Sequence, residues 1–140
     1  MNNIHATLVS YQGKGILFTG KSGSGKSDLA LRMISEKGAV LVADDRVDLE
    51  LIGNKLYGSA PKQIAGKLEI RGVGIASVPV KEKEEISLCV ELCSDRSEVE
   101  RLPDTCFVDF LGISVEKIRL YPFDCSTLCK IIAKICGIIS

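Results

Sequence analysis

Hydrophobic and polar positions alternate with several different periods along the chain, and each period predicts a type of element. Thr7–Tyr11 and Gly15–Thr19 are typical of two short strands joined by a turn. A helical period follows a glycine and serine loop, beginning at Gly25 and ending at Gly38. The continuous apolar run Ala39–Ala43 predicts a strand covered on both faces. These elements indicate a strand–helix–strand unit, with its loop and a following acidic pair at carboxyl ends of strands.

The rest of the pattern favours a mixed sheet over further strand–helix repeats. Val47–Tyr57 alternates around a Gly-Asn turn and predicts a half-exposed hairpin. Pro61–Gly74 is expected to be irregular because it contains three glycines, and Lys81–Glu85 to be a solvated charged loop. Two more strands and an amphipathic C-terminal helix are predicted at Ile86–Leu92, Val115–Leu120 and about Ser126–Cys136. We therefore expect one α/β domain over residues 1–140, with a mixed sheet and flanking helices.

Composition narrows the class of protein. The 140 residues carry 18 Lys and Arg against 18 Asp and Glu, so the net charge is zero, which argues against nucleic acid as the main partner. The longest apolar run is too short to span a bilayer, and the first residues show no basic or apolar leader. The expectation is a cytoplasmic domain without a membrane or nucleic-acid partner.

Six cysteines are present, without the C-x-x-C spacing of a zinc knuckle. In a chain without an export signal, three disulfides are not expected. Cys125, Cys129 and Cys136 fall at helical intervals beside apolar residues, as small buried hydrophobes do. We expect all six to be reduced thiols in the core.

The chemistry of the chain is concentrated in one glycine-rich segment. It fits the phosphate-loop pattern G-x-x-x-x-G-K-[ST] (Walker A) with Gly20, Lys21, Ser22, Gly23, Ser24, Gly25, Lys26 and Ser27. Glycines allow backbone N–H groups to surround phosphates, and the following helix adds the positive end of its dipole. Lys26 can reach the terminal phosphates, and the Ser27 hydroxyl can bind Mg²⁺. The segment predicts a nucleotide-phosphate site.

An acidic pair, Asp44-Asp45, ends the strand after the helix. One of these carboxylates could hold Mg²⁺ or accept a proton, although an acidic turn is the alternative. Because side chains alternate along a strand, at most one of the two is expected to face the phosphates. His5 alone is weak evidence, and Glu69 and Arg71 could be a surface ion pair, so spacing leaves these three open.

With these residues, the chain resembles the catalytic domain of the bacterial HPr kinase/phosphorylase family. The resemblance rests on the phosphate loop, the acidic pair and two further segments, Gly58–Pro61 and Leu68–Ile75, the last of which is similar to the family signature. It covers about Ile4–Val78. The C-terminal half resembles the short forms of the family found in alphaproteobacteria.

The resemblance implies an ATP- and Mg²⁺-dependent protein serine kinase acting on HPr, the phosphocarrier of the sugar phosphotransferase system. Many relatives also catalyse the reverse phosphorolysis, and hexamers are usual. It implies a fold similar to phosphoenolpyruvate carboxykinase, distinct from an ordinary doubly wound domain. By position, Asp44 matches the catalytic base, His5 its supporting histidine and Arg71 an active-site arginine. Glu69 and Asp45 match acids associated with the metal.

Three departures from the family are visible. The N-terminal regulatory domain usual in the family does not precede His5. A basic Pro-Gly-Arg segment is replaced by Tyr121–Asp124, and a glycine-rich segment after the signature by Pro79 and the charged run. Two alternatives therefore remain: a degenerate nucleotide-binding regulatory module, or a kinase or ATPase of the same fold with another substrate.

Overall fold

The computed structural model describes residues 2–62, 65–78 and 80–137. It contains two α-helices, α1 (Lys26–Lys37) and α2 (Thr127–Ile135), and a short 3₁₀ helix (Arg96–Glu98). The first six strands are β1 (Asn2–His5), β2 (Thr7–Tyr11), β3 (Lys14–Thr19), β4 (Val40–Ala43), β5 (Arg46–Ile52) and β6 (Lys55–Ser59). The remaining five are β7 (Lys67–Ile70), β8 (Gly74–Ser77), β9 (Lys83–Leu92), β10 (Cys106–Phe110) and β11 (Ile113–Leu120).

Nine of these strands form one mixed sheet in the order β1-β5-β6-β9-β3-β2-β4, with β11 on β9 and β10 on β11. Strands β3, β9 and β11 run parallel, and the other pairs in the sheet are antiparallel. Since β2 is antiparallel to both β3 and β4, those two strands run in the same direction with β2 between them. Their carboxyl ends therefore reach the same edge of the sheet.

The ten-residue strand β9 joins the two parts of this sheet. One edge of β9 pairs with β3, while the other pairs first with β6 and then, nearer its carboxyl end, with β11. Because two strands pair with one edge of β9, the sheet branches at this strand.

Each face carries its own hydrophobic core. Val9, Phe18 and Leu41 belong to a core that includes buried residues of both helices. Their sequence neighbours Leu8, Leu17 and Val42 belong to the opposite core, closed by β5, β6 and β11. The alternation along β2, β3 and β4 thus fills both faces, as expected for strands with no solvent-exposed side.

The predicted mixed α/β class is confirmed, and β2, β4, α1, the β5–β6 hairpin and α2 lie within a residue or two of their predicted bounds. Gly38 ends α1 in the left-handed conformation with φ 71°, as its position indicated. Neither described helix is long and apolar enough to cross a membrane.

Two predicted loops contain ordered strands instead. The irregular segment expected over Pro61–Gly74 holds β7, which pairs with β8 as a separate hairpin; Gln63 and Ile64 lie outside the described residues, as does Pro79. Lys81–Glu85 was expected to be solvated, yet β9 begins at Lys83 and Glu84 is buried. The reason is that Glu84 accepts hydrogen bonds from two side chains, which a charge count cannot reveal.

The cysteine prediction is correct for two residues and wrong for four. Cys89 and Cys93 are buried, whereas Cys106, Cys125, Cys129 and Cys136 are exposed, and all six are free thiols. Leu128, Ile131 and Ile135 supply the buried face of α2, so Cys129 between them faces outward, while Cys125 and Cys136 flank the helix at its two ends.

Candidate active site

The phosphate loop connects β3 to α1 and adopts a backbone that its glycines permit. Gly20, Gly23 and Gly25 have φ of 149°, 79° and 102°. A Cβ on Gly20 would lie 2.7 Å from Ser24 Oγ, so a side chain there would displace the loop. Gly25 is the N-cap of α1 and makes no side-chain hydrogen bond. The backbone N–H groups at the amino end of the helix therefore have no capping side chain and are available to a group bound in the loop. Such a loop fits an anionic group.

Lys26 begins α1, and its side chain is buried beneath the loop. Its Nζ donates to the carbonyl oxygens of Gly20 and Lys21, both at 2.9 Å. Burial lowers the pKa of Lys26, and the charges of Asp45 and Asp44 partly oppose this shift. The loop thus holds a partly desolvated cation that a phosphate would stabilise.

Both acids of the pair line the same cleft as the loop, contrary to the expectation that strand alternation allows only one to do so. Asp45 has φ 68°, and the Arg46 N–H donates to the Asp44 carbonyl at 2.8 Å across it. This tight turn interrupts the alternation directly after β4. A left-handed aspartate in a cleft is the kind of local strain that is found at functional sites.

The two carboxylates have different surroundings. Asp44 is 7% exposed, and its Oδ1 accepts hydrogen bonds from Thr7 Oγ1 at 2.9 Å and from Ser27 Oγ at 2.7 Å. The side chain of Asp45 is 69% exposed, and its Oδ1 accepts from His5 Nε2 at 2.9 Å. The histidine at the end of β1 thus contacts Asp45, whereas the resemblance implies that it supports Asp44.

Glu69 and Arg71 line the cleft from the β7–β8 hairpin, so the structure brings them to the same cavity as the loop and the acids. Leu68 is fully buried in the core that includes α1, and it anchors β7 beside that helix. Both Glu69 and Arg71 are exposed. They therefore face solvent in the cleft, available to a bound molecule.

The donors suited to magnesium are oxygen atoms of Ser27 and Asp44, which are already in contact. Among the described residues, three or more His, Cys, Asp or Glu side chains nowhere form a cluster that could hold a metal. Magnesium usually takes one or two protein oxygens and completes its shell with phosphates and water. The residues present fit this mode of binding.

The cleft has a volume of about 530 Å³, and its lining includes Thr7 and Phe123, which are not among the predicted site residues. Thr7 donates a hydrogen bond to Asp44. The feature of the sequence that could have indicated this contact is the position of Thr7 at the start of β2, the strand that pairs with β4. Phe123, which follows β11, packs on Gly25 of the loop. The sequence indicated Phe123 only as part of Tyr121–Asp124, the segment that replaces the basic Pro-Gly-Arg segment; its proximity to the loop depends on the order of strands in the sheet.

A phosphate loop between a strand and a helix, facing carboxylates from a second parallel strand, defines a P-loop protein. The family model described as "HPr Serine kinase C-terminal domain" matches residues 1–136. The chain belongs to this family.

Relatives and a solved structure agree with this assignment. HPr kinase/phosphorylase of Clostridium botulinum (strain Eklund 17B) is 42% identical over 127 residues, covering 84% of this chain and 41% of that protein. The Clostridium beijerinckii protein of the same name is 41% identical over 127 residues, covering 84% of this chain and 42% of its own. The structure titled Hpr(Ser) kinase/phosphatase from Coxiella burnetii superposes with a TM-score of 0.84 at 30% identity, covering 97% of this chain and 88% of that chain.

The chain spans about two fifths of the length of these curated relatives. The matching clostridial proteins do not test the expected similarity to short alphaproteobacterial forms, which stays a prediction. The structural match confirms the predicted α/β class with a mixed sheet and flanking helices; the sheet is curled and the helices are few.

Proposed function

We propose that this domain is an ATP- and Mg²⁺-dependent protein kinase that phosphorylates a serine of HPr. The observation that carries the proposal is the convergence of a phosphate loop and two unlike carboxylates in one cleft, within a chain of this family. A module that only binds nucleotide needs the loop alone, whereas phosphoryl transfer to a hydroxyl also needs a group that accepts its proton.

The surroundings of the two acids support a division of labour between them. Asp44 is buried and hydrogen-bonded to Ser27, so we assign it with Ser27 to the magnesium side of the site. Asp45 is exposed and paired with His5, so an incoming serine can reach it. The resemblance implies the reverse, with Asp44 as the base and Asp45 associated with the metal; the contacts described above support Asp45 as the base.

The reaction follows from these positions. Asp45 accepts the proton of the serine hydroxyl while the serine oxygen forms a bond to the γ-phosphorus of ATP. The bond from that phosphorus to the β–γ bridging oxygen breaks, and ADP leaves. His5, whose Nε2 lies 2.9 Å from Asp45 Oδ1, positions the Asp45 carboxylate. Lys26, beneath the loop, supplies positive charge to the phosphates that the loop holds.

Magnesium, when bound, neutralises charge on the phosphates and orients them. Glu69 is proposed to assist the metal through water, and Arg71 to stabilise charge on the transferred phosphoryl group, since both line the same cleft as the loop.

The wider setting is also proposed: a cytoplasmic protein that works as a homo-oligomer, with this domain as its catalytic unit. Zero net charge and the lack of a spanning helix in the described residues support a domain without a nucleic-acid or membrane partner. Sedimentation of the purified protein would give its assembly state directly.

The test is the intact mass of HPr after incubation with this protein, ATP and Mg²⁺. One added phosphoryl group, mapped to a serine by fragmentation, is the expected result. Lys26→Met removes the loop cation and should abolish the gain, whereas Lys37→Met, at the exposed end of α1, should not. HPr that stays unmodified by a protein that binds Mg-ADP would contradict the proposed substrate.

A further inference from the structure

The segment after β11, Tyr121–Asp124, is fixed in place by several polar contacts. The two terminal guanidinium nitrogens of Arg32, on α1, Nη1 and Nη2, donate to the Pro122 carbonyl at 3.2 and 3.0 Å. Thr127 Oγ1 donates to the Tyr121 carbonyl at 2.6 Å. Arg96 pairs with Asp124 at 2.6 Å and lies 4.8 Å from the centre of the Tyr121 ring. The segment is thus tied to the same helix that carries the phosphate loop.

This anchoring places one aromatic ring against the loop. A Cβ on Gly25 would lie 3.1 Å from Phe123 Cε1 and 3.2 Å from Pro122 Cβ, so glycine is needed for the close approach. Phe123 is nevertheless 56% exposed, and it lines the cleft beside Asp28 and Leu31 of α1. An edge-on contact with Tyr121, with centroids 5.6 Å apart, restricts the ring further. A rigid, exposed apolar ring in a polar cleft is suited to stacking on a flat ligand group.

The order of strands places Phe123 at the opposite side of the loop from the acids. Strand β4, which ends in Asp44-Asp45, lies on one side of β3, two positions away through β2. Strand β11, which leads into Phe123, lies two positions away on the other side through β9. A nucleotide whose terminal phosphate faces the acids and whose phosphates lie over the loop therefore directs its nucleoside away from the acids, towards the Phe123 side.

We infer that Phe123 is a nucleotide-binding residue whose ring stacks on the purine base of the nucleotide held by the phosphate loop. The inference rests on the proposed nucleotide-dependent function and adds a base subsite to it. A protein substrate is less suited to contact the Phe123 ring, because its serine must reach Asp45 on the other side of the loop.

Calorimetric titration with two probes, Mg-ADP and Mg-pyrophosphate, tests the inference, because pyrophosphate has no base to stack. Phe123→Ala and Phe123→Leu should weaken Mg-ADP binding about tenfold or more, the effect usual for loss of one base–aromatic stack. Phe123→Tyr, which keeps the ring, should bind Mg-ADP as the wild type does. All variants should bind Mg-pyrophosphate equally well, since the loop itself is unchanged.

Three results would overturn the inference: unchanged Mg-ADP affinity in Phe123→Ala, full affinity in Phe123→Leu, or an equal loss for both probes. The last would mean that Phe123 only supports the loop through Gly25. A wild-type protein that binds neither probe would contradict the proposed function as well. Binding of both probes without any effect of Phe123 would contradict the base subsite alone.

Discussion

Ser27 Oγ donates a hydrogen bond to Asp44 Oδ1 over 2.7 Å, which joins the phosphate loop to the acidic pair. The two residues are 17 apart in sequence and belong to α1 and to the end of β4. The same Oδ1 accepts from Thr7, which fixes the carboxylate from the intervening strand β2. The site therefore depends on three neighbouring elements at one edge of the sheet, and Asp44 is the point where they meet.

Removing the hydroxyl of Thr7 should destabilise this junction. Thr7 is fully buried, so Thr7→Val preserves its shape but deprives a buried carboxylate of one donor. We expect the free energy of unfolding to fall by about 1–2 kcal/mol, measured by urea denaturation.

Two controls separate this contact from general effects of the substitution. Thr7→Ser retains the hydroxyl and should lose less stability than Thr7→Val, while Thr105→Val on the exposed surface should have little effect. A Thr7→Val protein as stable as the wild type would show that Ser27 alone satisfies Asp44.

A second buried carboxylate, Glu84, lies away from the cleft and should make stability depend on pH. Its Oε1 accepts from Ser10 Oγ at 2.7 Å and Lys81 Nζ at 2.8 Å, and its Oε2 from the Glu85 N–H at 3.0 Å. Burial by itself would raise the pKa of Glu84, but these hydrogen bonds and the charge of Lys81 outweigh it, and the pKa is lowered.

A carboxylate with a lowered pKa stabilises the fold when ionised, so its contribution is fully present at neutral pH. It is lost as the pH falls below the unfolded value of about 4.3 and through the lower folded value. The difference in unfolding free energy between wild type and Glu84→Gln should therefore shrink as pH falls below about 4. Glu82→Gln, at an exposed position, is the matched control. If the difference in unfolding free energy between wild type and Glu84→Gln did not vary with pH, the hydrogen bonds of Glu84 would not lower its pKa as described.

The thiols should divide into two kinetic classes. Burial raises the pKa of both Cys89 and Cys93, which reduces the reactive thiolate as well as access to it. In the native protein a maleimide reagent should label the four exposed cysteines rapidly, and the two buried ones only after unfolding. Mass spectrometry of the labelled protein gives the count, and fast labelling of Cys89 would show that the sheet around it is not closed.

The sequence predicted those parts of the fold whose signal is local. Strand β2, helix α1 and its end at Gly38 follow from a period or a glycine that acts within a few residues. The burial of Glu84 depends on a partner far along the chain, Ser10, which is 74 residues away, so a local pattern does not reveal it. Strand β7 pairs locally with β8, but the glycines in and around this hairpin favoured an irregular segment instead.

The same distinction holds for the site. The phosphate loop is a contiguous motif, so its residues could be named from sequence. The partner of His5 could not, because the turn at Asp45 with its φ of 68° decides which carboxylate the histidine meets. Phe123 approaches Gly25 because β11 lies two strands from β3 in the sheet. The order of strands in the sheet cannot be predicted from composition or local pattern.

The central claim is that the two adjacent acids have different roles, and one pair of variants tests it most directly. We would measure the rate of phosphoryl transfer to HPr and the affinity for Mg-ADP in Asp45→Asn and Asp44→Asn, with Asp104→Asn as a surface control. Asp45→Asn should slow transfer about 10²- to 10⁴-fold at nearly unchanged Mg-ADP affinity, whereas Asp44→Asn should lose the magnesium-dependent part of that affinity. Rapid transfer by Asp45→Asn, together with slow transfer at full Mg-ADP affinity in Asp44→Asn, would contradict this assignment and make Asp44 the base.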